Sequence, residues 1–289
     1  MTTIENESLR ITINPVGAEL TSLFNKATGR EYLWQADAAY WPKHSPVLFP
    51  IIGTLKDNHY YFEEKEYQLS RHGFAREKTF TVTMKSATTV AFELTDDAAT
   101  RAVYPFQFTL SLQYTLEENR LSVAYHVTNN GNAAMYFSVG GHPAFKMPIE
   151  EGLAYEDYYL LFNNIETTGR WPINAVGLLE KNPVPLLNNT QLLPLTKELF
   201  YKDAIVIKHP ASNEVQLKSD RHPAGLSFSF EGFPFLGIWA AKDADFLCIE
   251  PWCGVADSVN SQPLLAQKEG IETLAPGDEF VRTWRVATF

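Results

Sequence analysis

The sequence predicts an all-β fold, a large antiparallel β-sandwich with few short helices, and three observations carry that prediction. Residues 107–116, "QFTLSLQYTL", alternate strictly, with Phe108, Leu110, Leu112, Tyr114 and Leu116 on one face, the period-2 pattern of a half-buried strand. Short segments of the same kind recur along the chain between turn residues, the spacing of a sandwich. Helical periodicity is scarce, so no helical layer is available.

In chain order, "LRITIN" (9–14), "YYFEEKEYQL" (60–69), "KTFTVTM" (78–84) and "TTVAFEL" (88–94) read as strands, rich in aromatic and β-branched residues. "DDAATRAVY" (96–104) is a short helical candidate. It follows Thr95 as N-cap and stops before Pro105, whose ring cannot continue a helix. Residues 107–116 and 120–129, "RLSVAYHVTN", flank Glu117, Glu118 and Asn119 and should pair as an antiparallel hairpin with His126 on its solvated face. "FSVGGHPAF" (137–145) begins as a strand and then meets two glycines, a histidine and a proline. Glycine weakens a strand and proline removes a ladder donor, so Gly140, Gly141 and Pro143 mark a bend or a close approach.

Residues 182–194, "NPVPLLNNTQLLP", read as a loop excursion that is still apolar. Further strands are "AIVIK" (204–208), "NEVQLKS" (213–219), "GLSFSF" (225–230), "FLGIWA" (235–240), "FLCIE" (246–250) and "FVRTWRVAT" (280–288), with a second short helical candidate in "QPLLAQKEG" (262–270). No internal repeat, low-complexity block or composition break interrupts the 289 residues, so one domain, 1–289, is expected.

Composition narrows the partners. Hydrophobic residues make up 45% and charged residues 20%, enough for a sizeable core, and the formal charge is −10. That charge disfavours nucleic acid and anionic membrane and is compatible with a neutral small molecule. The opening "MTTIENESLR" lacks a basic region followed by an apolar run, and no stretch approaches the length of a membrane span, so a cytoplasmic protein is expected. Cys248 and Cys253 are too few for a disulfide framework or a four-cysteine zinc site and read as ordinary thiols. A monomer or a homodimer is expected.

Three stretches break the strand pattern: "RHGFAR" (71–76), "GGHPAF" (140–145) and "CIEPW" (248–252). Each carries one titratable side chain at the end of an apolar or strand-like run: His72, His142 and Glu250. Strand ends and the loops after them are where such folds mount sites. A turn histidine satisfied by its neighbours, and a carboxylate in a structural salt bridge, are the bland alternatives. Glu250 sits in a nearly apolar run, so it needs a partner or a raised pKa. No H-x-H or H-x-x-x-H spacing joins the histidines, so zinc is weakly signalled and no metal is expected. No G-x-S-x-G elbow, phosphate loop or dinucleotide fingerprint exists. Two imidazoles and a carboxylate suit paired general acid and base catalysis near neutral pH.

"RHGFAR", "YPFQF", "GGHPAF", "FPFLGIWA" and "CIEPWCG", in this order, resemble the aldose 1-epimerase (galactose mutarotase-like) superfamily, and within it the LacX-like branch. The likeness runs from about residue 45 to the C-terminus. It implies a supersandwich of antiparallel strands, an open sugar cleft and no cofactor, with an aldohexose as partner. It also implies roles: His142 protonates the ring oxygen, Glu250 takes the anomeric hydroxyl proton, and His72 orients the ring. An ionised Glu250 then needs a cation or donor beside it, with His72 or Lys56 as candidates.

Binding residues follow less directly. Trp239 offers an aromatic face to a pyranose, or is a core tryptophan. Asp203, just before a strand, is a hydroxyl acceptor or an exposed turn residue. The family's arginine near "IIGTLKDN" (51–58) is absent; Thr54 and Lys56 stand there, leaving Lys56 as the replacement candidate. Arg76 resembles part of the phosphate grip of the hexose-6-phosphate branch, but the missing arginine favours a free hexose. A non-catalytic sugar-binding sandwich is the rival reading. A glycoside hydrolase would want a second marked carboxylate.

Overall fold

Two hydrogen-bonded sheets face each other across the main core in the computed structural model, which describes residues 1–289. The larger has nine antiparallel strands in the order Val184–Pro194, Tyr158–Arg170, Glu214–Ser219, Leu226–Ser229, Glu279–Thr288, Arg120–Asn129, Phe108–Glu117, Thr89–Thr95 and Thr81–Lys85. The expected hairpin lies inside it: Phe108 pairs with Asn129 and Glu117 with Arg120 without a register shift. The alternating burial of both strands follows their alternating side chains.

The second sheet runs Ile205–Lys208, Phe235–Trp239, Phe246–Cys253, Val139–Gly141 and Val47–Leu48, with Ala144–Lys146 also pairing with Phe246–Cys253. Phe145 on this sheet meets Phe228 of the larger one at 5.8 Å between ring centroids. Gly141 lies so close to Tyr125 Oη that a β-carbon there would stand 2.6 Å away. One cluster of 70 buried apolar residues fills the space between. An N-terminal sheet, Thr2–Glu5, Leu9–Asn14, Glu19–Asn25 and Arg30–Glu31, is tied on by Tyr114 Oη donating to Ala18 O and Asn25 Nδ2 donating to Thr288 Oγ1.

No helix is long and apolar enough to cross a membrane. The one α-helix, Ala98–Val103, is capped by Asp97 rather than the expected Thr95. The Asp97 carboxylate accepts from the Thr100 amide while Thr100 Oγ1 accepts from the Asp97 amide, a reciprocal box that Thr95 is too far upstream to form. The second helical candidate shrinks to a 3-10 turn, Leu265–Gln267.

Other departures have local causes. Residues 60–69 are not one strand but most of a hairpin, His59–Phe62 with Lys65–Gln68. Glu63 and Glu64 both take positive φ at its two-residue turn, a position where Asn-Gly is the usual signal. Residues 182–194 are no loop: Val184–Pro194 pairs along Tyr158–Arg170 through three register shifts. Those irregularities erase the period-2 pattern by which a strand is read. Gly140 and Gly141 do not supply the bend either. They lie within a strand, and a β-carbon on Gly140 would come within 2.7 Å of Pro251 O, so close approach is their reason. The chain turns after them, at His142 and Pro143.

Candidate active site

The smaller sheet is covered on both faces, which is why Phe246–Cys253 is buried at every residue. One face packs on the main core. Over the other lies a cavity of about 320 Å³, floored by a second apolar cluster that includes Ile52, Val206, Trp252 and Val255. His72, His142 and Glu250, separated widely in sequence, all line it, as do Arg76, Asp203 and Trp239. Its size and mix of apolar wall and few polar groups fit one small ligand.

His142 follows directly on the strand Val139–Gly141, and its amide donates to Pro46 O at 3.1 Å. Trp41 stacks on its ring at 4.8 Å between centroids and Trp239 meets its edge at 5.5 Å. Its Nε2 stands 3.3 Å from Glu250 Oε2. That contact is an ion-pair distance without hydrogen-bond alignment, since Glu250 Oε2 is buried without a hydrogen-bond partner; Nδ1, on the other side of the ring, is buried without one too. Glu250 is 1% exposed.

Burial drives both groups toward their uncharged forms. It lowers His142 from the ordinary 6.5 to about 3, with the Arg71 and Arg76 guanidinium groups also repelling an imidazolium. It raises the Glu250 carboxyl well above its ordinary range, with Asp203 adding to the rise and Arg71 and the Trp252 indole opposing it. The expected partners of Glu250, His72 or Lys56, are therefore corrected: the groups beside it are His142 and Arg71.

His72 sits at positive φ in the turn 70–73. Its Nδ1 accepts from the Gly53 amide at 3.1 Å and its Nε2 faces Arg71 Nε at 3.3 Å. Burial first, then His142 and the two arginines, hold it well below the ordinary value. Arg76 donates from Nη2 to Arg71 O, while its Nε is buried with no acceptor. Asp203 accepts from the Ala204 amide and lies 3.5 Å from Arg71 Nη2.

Lys56 is not brought to the cavity. Its Nζ donates to Val259 O at 3.0 Å and its amide to Asp257 Oδ2 at 2.9 Å, so it braces a loop behind the wall. Three cavity residues escaped the sequence reading. Arg71 lies inside "RHGFAR" without a role of its own, Trp252 lies in the nearly apolar run around Glu250, and Trp41 lies in the aromatic-dense "AAYWPKH" (38–44), its one available signal. Cys248 also approaches: one donor atom each from His142, Cys248 and Glu250 lie within 4.8 Å of one another. Burial raises the Cys248 thiol well above its ordinary value, which disfavours the thiolate a metal requires.

The chain is similar to known proteins over most or all of its length. The family model described as aldose 1-epimerase matches residues 1–280. The plasmid and chromosomal LacX proteins of Lactococcus lactis subsp. lactis are each 33% identical over 98% of this chain and 97% of their own length. A galactose mutarotase related enzyme from Lactobacillus acidophilus superposes with a TM-score of 0.95 at 34% identity, covering 100% of this chain and 97% of that one. A galactose mutarotase-like protein from Lactobacillus casei ATCC 334 gives 0.94 at 33% identity, with both chains covered in full.

Proposed function

Because the chain belongs to the aldose 1-epimerase family, we propose that it interconverts the α and β anomers of a free aldohexose by acid–base ring opening in this cavity. The observation that carries the reading is the 3.3 Å approach of His142 Nε2 to Glu250 Oε2 at the wall of a cavity of single-sugar size. The ring oxygen O5 and the anomeric O1 are bonded to the same carbon. An acid and a base side by side can therefore serve both oxygens at once.

In the forward step Glu250 takes the O1 proton, the C1–O1 double bond forms, the C1–O5 bond breaks, and His142 delivers a proton to O5. Rotation about C1–C2 and the reverse transfers close the ring on the other face of the aldehyde. The pair holds one proton throughout, passing from carboxylate and imidazolium to carboxylic acid and imidazole and back. Burial favours the uncharged pair, and Arg71 supports the carboxylate. Each positioned group typically contributes about 10²- to 10⁴-fold, roughly 3–5 kcal/mol of barrier apiece.

The other assignments follow the same frame. His72, fixed by Gly53, orients the ring; Trp239 and Trp41 offer apolar faces; Asp203 accepts and Arg76 Nε donates to sugar oxygens. Lys56 has no part. A second reading, a hexose 6-phosphate, is favoured by the pair Arg71 and Arg76 at one wall. Polarimetry on freshly dissolved aldoses and hexose 6-phosphates decides between them. Acceleration with free hexoses is the expected result, acceleration confined to phosphorylated sugars selects the second reading, and no acceleration with either rejects both.

A further inference from the structure

We propose that the Trp252 indole N–H holds Glu250 in its proton-accepting, ionised state, that Gly237 is a glycine because this indole occupies the space its β-carbon would need, and that the indole together with Pro251 O closes the same space at Gly140. The proposal rests on the acid–base reading above and makes Trp252 a positioning residue for the base.

Glu250 and Trp252 are two residues apart on Phe246–Cys253, so both side chains stand on its cavity face, where both line the wall. The neighbouring strands put Gly140 opposite Trp252 and Gly237 opposite Glu250. A β-carbon on Gly140 would lie 2.8 Å from Trp252 Cδ1, and one on Gly237 would lie 2.5 Å from Cζ2 and 2.6 Å from Cη2. Both ends of the indole therefore rest on bare backbone, and the ring has one place to go. Three sequence stretches, "GGHPAF", "FPFLGIWA" and "CIEPW", meet in this one packing.

The seated ring leaves Nε1 buried without an acceptor, and Glu250 Oε2 is buried without a donor. A buried donor and a buried acceptor on one cavity face, each without a partner elsewhere, can each supply what the other lacks. A donor at a carboxylate favours the charged form, and the nearby indole opposes the rise that burial gives the Glu250 carboxyl. The other groups facing Glu250 are His142, Cys248, Arg71 and Asp203, with His72 and Arg76 farther along the same wall. Arg71 alone among them is a cation that stabilises the carboxylate, and it is half exposed and shared with Asp203. Phenylalanine would keep an aromatic ring at 252 but provide no N–H.

Trp252→Phe tests this by two readouts: the pH profile of mutarotation, and the Glu250 carboxyl pKa followed by carbon NMR in the sugar-free protein. The working pair holds one proton, which leaves from the Glu250 carboxyl at high pH, so loss of the N–H should raise the carboxyl pKa and the basic limb of kcat together by about one unit. Below that limb kcat should fall about tenfold with KM changed by less than about twofold. Gly237→Ala, which displaces the ring without deleting it, should move the carboxyl pKa the same way. It should add little on top of Trp252→Phe, whose smaller ring lacks the colliding atoms. An unmoved carboxyl pKa in either folded variant overturns the proposal, as does a rise in KM with an unmoved limb, which would assign the N–H to the sugar. The carboxyl readout needs no turnover, so an inactive wild type would reject the epimerase reading while still deciding this one.

Discussion

Glu250→Gln removes the proton acceptor while keeping the shape of the side chain, and it should make the protein slower and more stable at once. The carboxylate is 1% exposed, and holding it ionised inside the protein costs on the order of 1–3 kcal/mol even with a donor beside it. The sign with pH follows from the raised pKa. The folded protein holds the Glu250 proton more tightly than the unfolded chain, so this stabilising effect is complete below the ordinary 4.5 and is lost as pH rises through the folded value. At pH 8 wild type therefore carries a penalty that glutamine does not. The variant should gain about 1–2 kcal/mol there, a Tm rise of roughly 2–8 °C, and the gap should close by pH 4. Mutarotation should fall by about 10²- to 10⁴-fold, with sugar affinity by calorimetry retained. Scanning calorimetry at both pH values beside polarimetry reads all of this. A lower Tm at pH 8 with normal turnover would make Glu250 a structural residue and refute the reasoning.

His142→Asn should lower kcat by about 10² or more in a folded protein; unchanged turnover in polarimetry removes His142 from the acid role. Both cavity histidines are held neutral, His142 near 3, so the unfolded chain takes up protons as pH falls from 6.5 toward 3 and stability is lost over that window. His72→Gln combined with His142→Asn should flatten this loss in urea titrations between pH 6 and 4; an unchanged slope would show that neither histidine is buried uncharged. Lys268 Nζ and Asp257 Oδ1 form a 2.7 Å pair with side chains 2% and 4% exposed. Lys268→Met strands the Asp257 charge and should cost about 3–5 kcal/mol by denaturant unfolding, with part recovered in Lys268→Met/Asp257→Leu; a loss under about 1 kcal/mol would contradict the buried pairing.

What the sequence disclosed depended on how regular the element was. The hairpin 107–129 was legible to its register because ten residues on each side alternate without a bulge. The hairpin of Tyr158–Arg170 and Val184–Pro194 was not, because three register shifts break its alternation. In the site, His72, His142 and Glu250 stood out because each interrupts a strand-like run. Trp41 and Arg71 did not, because an aromatic or an arginine in a loop is locally unremarkable and becomes part of the cavity only through distant pairing. The partner of Glu250 was misjudged for the same reason. The approach of His142 is set by Val139–Gly141 lying beside Phe246–Cys253, and no local pattern encodes that.

The strand Glu279–Thr288 lies in the middle of the nine-stranded sheet, between Leu226–Ser229 and Arg120–Asn129. Ribosomes deliver it after every other strand of that sheet. At about 5–20 residues per second, the edge of Arg120–Asn129 waits on the order of ten seconds for its neighbour. During that interval two half-sheets carry open hydrogen-bonding edges, the form in which β-rich chains capture one another. Nascent chains should therefore depend on chaperone shielding until the strand is made. A stop codon anywhere before residue 279 should yield insoluble polypeptide instead of a smaller, partly active protein.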